Sequence, residues 1–515
     1  MKRQGLTMLL SGLALLATGG AGVQAQEAAS ETGQTQAAEP FSFGGVFEGG
    51  IAGEIDRTVI PRRPDGPPNI VFIIADDLGW PYLGFLGDRN VITPNMDILG
   101  RGGVVFERGH SSANHCRPTL QSLVSGLYPS QYADQASRIA DARMANGPVP
   151  QEVDTARERQ QLWKQYETSA IEQIATLPRI LQQAGYVSFQ SGKWWEQSYR
   201  HGGFTHGMTP SWNWKDAAAL GDNWFFTFMG GRGNEIGRQT MAPVLDFVED
   251  NAEQPFFLWY GPALPHTPLN PPDRFFKFYQ DRDDISESAK LYYANIAWFD
   301  WGVGQLLDKL REERLMDNTL IVYVNDNGWQ QPPTAEYADN PFFFPNGGPR
   351  GKGSAFETAF RTPIIFYWAD QIAARLDRRQ LVNAIDIMPT VLDYAGVTSP
   401  VELPGYSLRN HIEGKSSAPL RPALFGRIDT HRAGTDFRGQ RDEAVTDMMG
   451  GSFDAYYRTD ETWHFVWKTD SDEVALWDIT GDPNSNSDVA ADHPDLVAEF
   501  KQEISGWRQQ YVPNG

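Results

Sequence analysis

Two runs of apolar residues, each followed directly by polar side chains, constrain the fold of this chain more than any other feature of its sequence. Residues 69–77 read Asn-Ile-Val-Phe-Ile-Ile-Ala-Asp-Asp, and residues 318–327 read Asn-Thr-Leu-Ile-Val-Tyr-Val-Asn-Asp-Asn. Short continuous runs rich in β-branched residues are typical of strands buried on both faces, as in parallel sheets covered by helices. The chain is therefore predicted to contain an α/β domain.

The polar residues lie where each predicted strand ends. Asp76 and Asp77 follow the first run, and Asp326 and Asn327 follow the second. Open α/β sheets bind ligands at this edge, and adjacent acids repel each other unless a cation lies between them. The four oxygen ligands suit Ca²⁺ or Mg²⁺, and the absence of Cys and His from both runs disfavours zinc. Without the second pair, the first would equally fit a helix cap and a surface acid.

Helical and strand patterns alternate between the two runs. Helical spacing occurs at 93–103 and 177–184, and strand-like runs occur at 104–106, 186–189 and 255–260. This alternation predicts a large mixed, mostly parallel sheet flanked by helices. From about residue 401 the pattern changes to short alternating strands and a helix at 494–511, which predicts a smaller C-terminal antiparallel α+β subdomain.

The N-terminal segment has the pattern of an export signal. Lys2 and Arg3 precede an apolar run over 6–17, and small residues end at Ala25, which predicts a signal peptide over 1–25. We expect a linker over 26–66, the α/β domain over 67–400 and the subdomain over 401–515. No other stretch approaches the roughly 18 apolar residues of a membrane span, so a periplasmic or secreted protein is expected.

The charge of the chain limits its partners. The formal net charge is −21 and no basic tract is present, so nucleic acid is not expected as a partner. An anionic ligand would need a locally positive cleft. The charged, helix-prone segment 131–176 predicts either a lid or a solvated helical insertion, and the aromatic loop 341–345 either shapes a pocket or packs on the core.

Cys116 is the only cysteine among 515 residues, so it forms no intramolecular disulfide. Residues 111–114 have loop character, residues 118–124 are apolar at helical spacing, and Gly126 closes the segment. The thiol is therefore predicted at the start of a helix, where free N–H groups and the helix dipole favour an anion. Exported proteins usually use their cysteines for disulfides, but this chain has a single thiol, which favours a chemical role for Cys116. The alternative is that Cys116 is a small buried apolar residue.

Together these residues resemble the formylglycine-dependent sulfatases of the alkaline phosphatase superfamily, from about residue 69 to the C-terminus. The matching pieces, in the order in which the family has them, are Ala75-Asp76-Asp77-Leu78-Gly79, Thr93-Pro94-Asn95-Met96-Asp97, Cys116-Arg117-Pro118-Thr119, Gly192-Lys193-Trp194, Pro265-His266-Thr267-Pro268, Asp326-Asn327-Gly328 and Gly351-Lys352-Gly353. Each piece alone is a weak motif, but the ordered set is specific.

The resemblance implies a sulfate ester hydrolase acting on a sulfated carbohydrate or an aryl sulfate. It implies that a maturase oxidises Cys116 to formylglycine, whose hydrated aldehyde supplies the attacking hydroxyl. The four strand-end residues would hold a divalent cation, most often calcium in this family. Lys193 and Lys352 would bind the sulfate oxygens, and His266 would contact the sulfate or protonate the leaving alcohol. Ordinary surface lysines and a satisfied loop histidine are the alternatives.

Two positions depart from the family pattern. Leu120 stands where the family usually has Arg, and Trp195 stands where it usually has a His. We expect Arg117, or a histidine among His115, His201 and His206, to compensate for the missing polar groups. A phosphodiesterase or phosphonate monoester hydrolase on the same scaffold is a competing interpretation, and an inactive homologue that binds a sulfated ligand is a third.

Overall fold

The computed structural model describes seven segments of the chain, and all of them belong to one unit, Thr58–Gly515. These segments are residues 66–80, 82–147, 155–210, 230–329, 350–428, 455–483 and 485–512. The predicted signal peptide, nearly all of the predicted linker and the aromatic loop 341–345 lie outside the described residues.

Fourteen strands occur in the described residues. They are β1 (Asn69–Ala75), β2 (Val104–Phe106), β3 (Gly109–His110), β4 (Val187–Gly192), β5 (His206–Gly207), β6 (Phe256–Gly261), β7 (Thr319–Asn325), β8 (Ile364–Tyr367), β9 (Arg375–Asp377), β10 (Val382–Asn383), β11 (Leu424–Ile428), β12 (Ala455–Thr459), β13 (Trp463–Lys468) and β14 (Glu473–Asp478). Every residue of β1, β6 and β7 is buried, as their continuous apolar sequences predicted.

The central sheet has eight strands in the order β5-β4-β6-β1-β7-β8-β2-β9. The pairings from β5 to β7 are all parallel, whereas β8 is antiparallel to both β7 and β2. The prediction of a large mixed, mostly parallel sheet is therefore confirmed. The parallel centre brings the carboxyl ends of β4, β6, β1 and β7 to the same edge, in that order.

Helices flank this sheet. The α-helices are Pro94–Gly102, Cys116–Ser125, Pro129–Asn146, Ala156–Ser169, Leu177–Gln183, Ala242–Asp250, Asp273–Phe276, Glu287–Glu312, Ile387–Ala395, Arg409–Ile412 and Pro494–Tyr511. Short 3₁₀ turns occupy Gly84–Leu86, Ala170–Gln173, Gly231–Glu235, Met316–Asn318, Glu357–Ala359, Ala384–Asp386 and Ala490–Asp492. The segment 131–176 was predicted to be a lid or a helical insertion. It includes most of the helix Pro129–Asn146 and the whole helix Ala156–Ser169, and residues 148–154 between them are outside the described part. Among the described residues, no helix combines the length and the apolar character that crossing a membrane requires.

A second sheet forms the C-terminal part of the chain, with strand order β11-β12-β13-β14 and every pairing antiparallel. One of its faces packs on Phe356 and Phe360, which belong to the segment that follows Lys352. The other face packs on the helix Pro494–Tyr511 through Phe500, Ile504 and Trp507. The predicted antiparallel α+β subdomain is confirmed, and its core continues into the loop that carries Lys352.

Candidate active site

Four consecutive strands of the central sheet each place a polar residue at the same edge. Along the sheet, Lys193 follows β4, His266 lies five residues after β6, Asp76 follows β1 and Asp326 follows β7. Backbone hydrogen bonds continue the strand register into these positions, because Asp76 N donates to Leu264 O at 2.9 Å and Asp326 N donates to Ala75 O at 3.0 Å. The topology of the sheet therefore brings together residues that are far apart in sequence.

The backbone turns sharply at Asp77, which has φ of +62°. Left-handed conformations are uncommon for residues other than glycine, although Asp tolerates them better than most. The hydroxyl of Tyr292 holds this turn, because it donates to Asp77 O at 2.9 Å and accepts from Gly79 N at 3.0 Å. Asp77 N itself donates to Asp326 Oδ1 at 3.0 Å. The turn directs two consecutive carboxylates, Asp76 and Asp77, into the same site.

The four predicted metal ligands form one buried cluster. Asn327 Nδ2 donates to Asp77 Oδ1 at 2.7 Å, and Asp76, Asp77, Asp326 and Asn327 each expose 2% of their surface or less. Burial, together with repulsion from Asp76, raises the pKa of Asp326 well above its ordinary value. Burial alone would raise the pKa of Asp77 too, but Lys352, His266 and Lys193 lower it. Three carboxylates, those of Asp76, Asp77 and Asp326, therefore lie together in a buried site, where burial and mutual repulsion disfavour their charged forms.

Two oxygens of this cluster indicate what it binds. Asp76 Oδ2 and Asn327 Oδ1 are buried and accept no hydrogen bond from the described residues. A buried oxygen without a donor is costly, and such atoms in a native structure require an explanation. An oxygen-only set with three carboxylates and one amide is the donor set that Ca²⁺ or Mg²⁺ prefers. The residues present therefore fit a hard divalent cation.

Cys116 lies beside this cluster as the first residue of the helix Cys116–Ser125, as predicted. Its Sγ and one carboxylate oxygen each of Asp76 and Asp326 all lie within 4.8 Å of one another. The side chain exposes 9% of its surface. Burial raises the pKa of the thiol, and the neighbouring Lys193 and Lys352 partly oppose that shift. Unmodified, Cys116 is therefore a protonated thiol rather than an activated thiolate.

Two lysines flank the cluster, and each adjoins a glycine with positive φ. Lys193 Nζ donates to Asp76 Oδ1 at 2.5 Å and lies 3.6 Å from Asp326 Oδ2, while Lys352 Nζ donates to Asp77 Oδ1 at 2.8 Å. Gly192 has φ of +85°, and a Cβ there would lie 1.6 Å from Gly261 O. Gly353, with φ of +75°, donates its N–H to Asn114 O at 2.8 Å, two residues before Cys116. Neither lysine is a surface residue.

His266 has one ring nitrogen held and the other directed at the cluster. Its Nδ1 lies 2.6 Å from Thr267 O, which can only accept, so Nδ1 carries the hydrogen. Its Nε2 lies 3.4 Å from Asp77 Oδ2. Burial lowers the pKa of His266 to about 4, although Asp76 and Asp77 act in the opposite direction. Arg238 stabilises the loop that carries His266, because it donates to the backbone carbonyls of Ala263 at 2.8 Å and His266 at 2.5 Å.

The two departures from the family pattern are neighbours in space. Leu120 and Trp195 line the same small cavity, about the size of one water molecule, and its other lining residues are Arg117, Gln121, Val124, Trp194 and Glu196. The ring centroid of Trp195 lies 5.1 Å from Lys193 Nζ, within cation–π range. An apolar pair thus occupies the place of two polar side chains, and one of the pair contacts Lys193.

Arg117 is directed at two glutamates. Its Nε donates to Glu196 Oε1 at 2.7 Å, and its Nη2 donates to Glu196 Oε2 at 3.1 Å and to Glu167 Oε1 at 3.0 Å. This geometry does not favour the expectation that Arg117 reaches the reacting group, and a role there stays a prediction. Neither glutamate was predicted from the sequence, in which the only available signal is that Glu196 follows Lys193 by three residues.

The three histidines considered as substitutes lie in different places. His115 precedes Cys116, and desolvation with the nearby charges of Lys352 and Arg117 lowers its pKa to about 3. His201 contacts Ser198 and Glu172, and His206 is exposed and contacts Thr205. Of the three, the structure therefore brings only His115 to the site.

Two protein-family models match most of the chain. The family model "Sulfatase" matches residues 68–397, and the model "N-sulphoglucosamine sulphohydrolase, C-terminal" matches residues 351–510. N-acetylgalactosamine-6-sulfatase of Canis lupus familiaris is 26% identical over 431 residues, which cover 78% of this chain and 73% of the relative.

Solved structures share the fold. Ps i-CgsB in complex with k-i-k-neocarrahexaose superposes with a TM-score of 0.62 at 23% identity, covering 86% of this chain and 93% of that one. The phosphonate monoester hydrolase of Agrobacterium radiobacter superposes with a TM-score of 0.56 at 18% identity, covering 86% and 96%. At these identities the likeness concerns the fold alone.

Proposed function

Since the chain belongs to the sulfatase family of sulfuric ester hydrolases, we propose that it cleaves a sulfate ester with a formylglycine derived from Cys116 and a divalent cation. The observation that carries this proposal is the position of Cys116. It begins a helix, its Sγ lies within 4.8 Å of carboxylate oxygens of Asp76 and Asp326, and the buried Lys193 and the partly buried Lys352 flank the same cluster. An oxidised side chain at this place would lie beside the carboxylates that would hold the cation.

The cation and the modified residue each supply one element of the chemistry. Held by Asp76, Asp77, Asp326 and Asn327, a calcium or magnesium ion supplies a positive charge that polarises a sulfate oxygen. Formylglycine at position 116, installed by a maturase, supplies the attacking hydroxyl of its hydrated aldehyde. The protein's other groups bind, orient and move protons around these two.

Lys193 and Lys352 would bind the sulfate oxygens. Each ammonium group lies beside a carboxylate, and burial lowers its pKa while Asp76, for Lys193, and Asp77, for Lys352, raise it. Because the pKa of each lysine is raised, both carry positive charge at neutral pH. Donors placed where negative charge develops contribute most in a site that excludes water, and losing one typically costs about 2.7–4 kcal/mol of transition-state stabilisation.

His266 would contact the sulfate or assist the leaving alcohol through Nε2. The carbonyl of Thr267 holds the hydrogen on Nδ1 and so fixes the orientation of the ring. Because the pKa of His266 is about 4, the ring is neutral at neutral pH. A proton donated from Nε2 would therefore have to be taken up once the anionic substrate is bound beside it.

The substrate class is proposed as a sulfated carbohydrate, with an aryl sulfate as the simplest artificial substrate. Support comes from two proteins similar to this chain, one named N-acetylgalactosamine-6-sulfatase and one solved in complex with k-i-k-neocarrahexaose. The pattern of residues 1–25 supports export, so we propose a periplasmic or secreted enzyme that meets its substrate outside the cytoplasm.

The proposal is tested by assaying the maturase-treated protein against an aryl sulfate and an aryl phosphodiester in parallel. Hydrolysis of the sulfate, abolished in Cys116→Ala, is the expected result. Preference for the phosphodiester or for a phosphonate monoester would favour the second candidate function, which the fold of the Agrobacterium radiobacter hydrolase supports. If a fully modified protein hydrolyses none of these esters, the inactive-homologue interpretation replaces the proposal.

A further inference from the structure

Glu196 lies three residues beyond Lys193, at the end of a short segment that is held at both ends. At the first end, Lys193 N donates to Gly261 O at 3.0 Å and so stays in register with β6. At the other end, the Glu196 side chain exposes 4% of its surface and points toward the helix Cys116–Ser125. The indole of Trp194 donates to Glu196 O at 3.2 Å and so supports the turn between them.

The Glu196 carboxylate is the point at which this segment is attached to the helix that begins with Cys116. It accepts from Arg117 Nε at 2.7 Å, from Arg117 Nη2 at 3.1 Å and from Gln121 Nε2 at 2.9 Å. Positions 117 and 121 are four apart, so both donors lie on one face of the first two turns. A bidentate contact between guanidinium and carboxylate is directional as well as strong.

The surrounding residues keep this attachment rigid. Tyr132 OH donates to Glu196 Oε2 at 3.3 Å, and Arg117 also binds Glu167, which pairs with Lys164 at 2.8 Å. Two carboxylates are thus balanced by one guanidinium and one ammonium. Buried ionic groups that are fully paired restrict a segment to one arrangement, since any displacement leaves a charge without its partner.

The attachment bears on Lys193 through Trp195. Trp195 lies between Lys193 and Glu196 in the sequence. The centroid of its ring is 5.1 Å from Lys193 Nζ. Trp195, Leu120 and Glu196 also line one small cavity. Without the attachment of Glu196 to the helix, we expect Trp195 to shift and Lys193 to lose its cation–π contact with the ring.

From these contacts we propose that Glu196 is a positioning residue: through Arg117 and Gln121 it fixes the Lys193–Glu196 segment to the start of the Cys116 helix and thereby sets the distance between Lys193 and residue 116. The proposal deepens the proposed function and rests on it, because Lys193 matters only if the site binds a sulfate ester. It also gives Trp195 and Leu120 a role, which is to line the small cavity between the two attached elements.

A double-mutant cycle tests the proposal in the full-length, maturase-treated enzyme, with formylglycine content and calcium occupancy measured for each variant. Glu196→Gln keeps the shape but removes the charge, and kcat/KM on an aryl sulfate should fall at least tenfold. In a Lys193→Ala background the same substitution should change kcat/KM less than twofold, because the group that it positions is absent. A purely structural role would lower activity by the same factor in both backgrounds.

Glu172→Gln is the matched control. It removes a carboxylate at a more exposed place, where Glu172 pairs with Arg143 and His201 and not with Arg117, so kcat/KM should stay within twofold of wild type. If Glu196→Gln does not fold, Gln121→Met can replace it in the cycle. This substitution removes only the hydrogen bond of 2.9 Å that the Gln121 amide donates to Glu196. Wild-type kcat/KM in Glu196→Gln, or equal losses in both backgrounds, would overturn the proposal.

A crystal structure of Glu196→Gln separates this proposal from the proposed function. Lys193 Nζ should leave its 2.5 Å contact with Asp76, and Trp195 should move from its position. An unmoved Lys193 refutes the positioning role whatever the activity. If the modified wild-type enzyme hydrolyses no sulfate ester, the proposed function fails, while the crystal structure still decides whether Glu196 positions Lys193.

Discussion

Lys193 Nζ donates to Asp76 Oδ1 at 2.5 Å, although β6 separates the two strands that these residues follow. The contact occupies one oxygen of the Asp76 carboxylate, and the other, Oδ2, accepts no hydrogen bond from the described residues. One carboxylate therefore links the ammonium side of the site to the side where a cation fits. This arrangement underlies the predictions on the metal and on residue 116.

Removing one cation ligand should remove the metal. Asp326→Asn preserves the shape of the side chain but lowers the negative charge of the cluster, and we expect loss of bound calcium and a loss of activity of at least about a hundredfold. Calcium is measured by elemental analysis and by titration calorimetry. Asp308→Asn, at an exposed helix position, is the control and should retain both properties. Undiminished activity in Asp326→Asn, or after exhaustive chelation, would contradict the assignment.

Residue 116 should carry the modification. In protein produced with a suitable maturase, peptide mass spectrometry is expected to find formylglycine at position 116 in a large fraction of molecules. The reason is that a lone, buried, protonated thiol beside a cation site has little use as it stands. Cys116→Ala serves as the unmodified reference peptide. Intact thiol alone in protein from the native host would rule out the proposed mechanism and leave the fold unaffected.

Replacing Arg117 should act first on stability. Arg117→Ala leaves Glu196 and Glu167 without their shared partner in a largely buried place, and we expect the free energy of unfolding to fall by about 3 kcal/mol. Chemical denaturation measures it. The exposed pair of Arg138 with Asp134 gives the control, since Arg138→Ala should cost at most about 0.5 kcal/mol. Normal stability with a hundredfold loss of rate would instead place Arg117 at the reacting group.

Glu357 should give the protein part of its sensitivity to acid. Burial alone would raise the pKa of Glu357, but Arg361 and the hydrogen bond with His110 lower it from 4.5 to about 2. A lowered carboxyl pKa contributes stability that is fully present above pH 4.5 and is lost as the pH falls toward 2.

The measurement is the free energy of unfolding at pH 7 and at pH 3, for wild type and for Glu357→Gln. Wild type should lose more stability than the variant over this interval, by about 2 kcal/mol if the shift is fully expressed. Glu253→Gln, on the surface, should behave like wild type. Identical pH dependence in wild type and Glu357→Gln would show that the pKa of Glu357 is the same in the folded and the unfolded protein, which contradicts the prediction.

Much of the fold follows from local patterns in the sequence. The two apolar runs became β1 and β7, fully buried, and the helix predicted to close at Gly126 begins at Cys116 and ends at Ser125. The C-terminal helix occupies residues 494–511, as its spacing predicted. These elements could be predicted because strand and helix periods are short, so a run of ten or twenty residues contains the whole signal.

Ion pairs between distant segments could not be predicted in the same way. Glu167, Arg117 and Glu196 belong to three segments separated by 50 and 79 positions along the chain, counted from Arg117. Nothing in the local sequence of any of them indicates a partner. The expectation that Arg117 points to the reacting group came from its neighbour in sequence, whereas its contacts depend on which helices pack beside it.

The sequence by itself determined which residue types stand at the strand ends and at the start of the Cys116 helix, because hydrophobic period and motif order are properties of the chain alone. Only the tertiary structure decided that Lys193, His266, Asp76 and Asp326 follow adjacent strands, that Leu120 and Trp195 line one cavity, and that Arg117 faces two glutamates. The physical reason is that strand order and side-chain direction depend on packing between segments far apart in sequence, and such packing leaves no mark on any one of them.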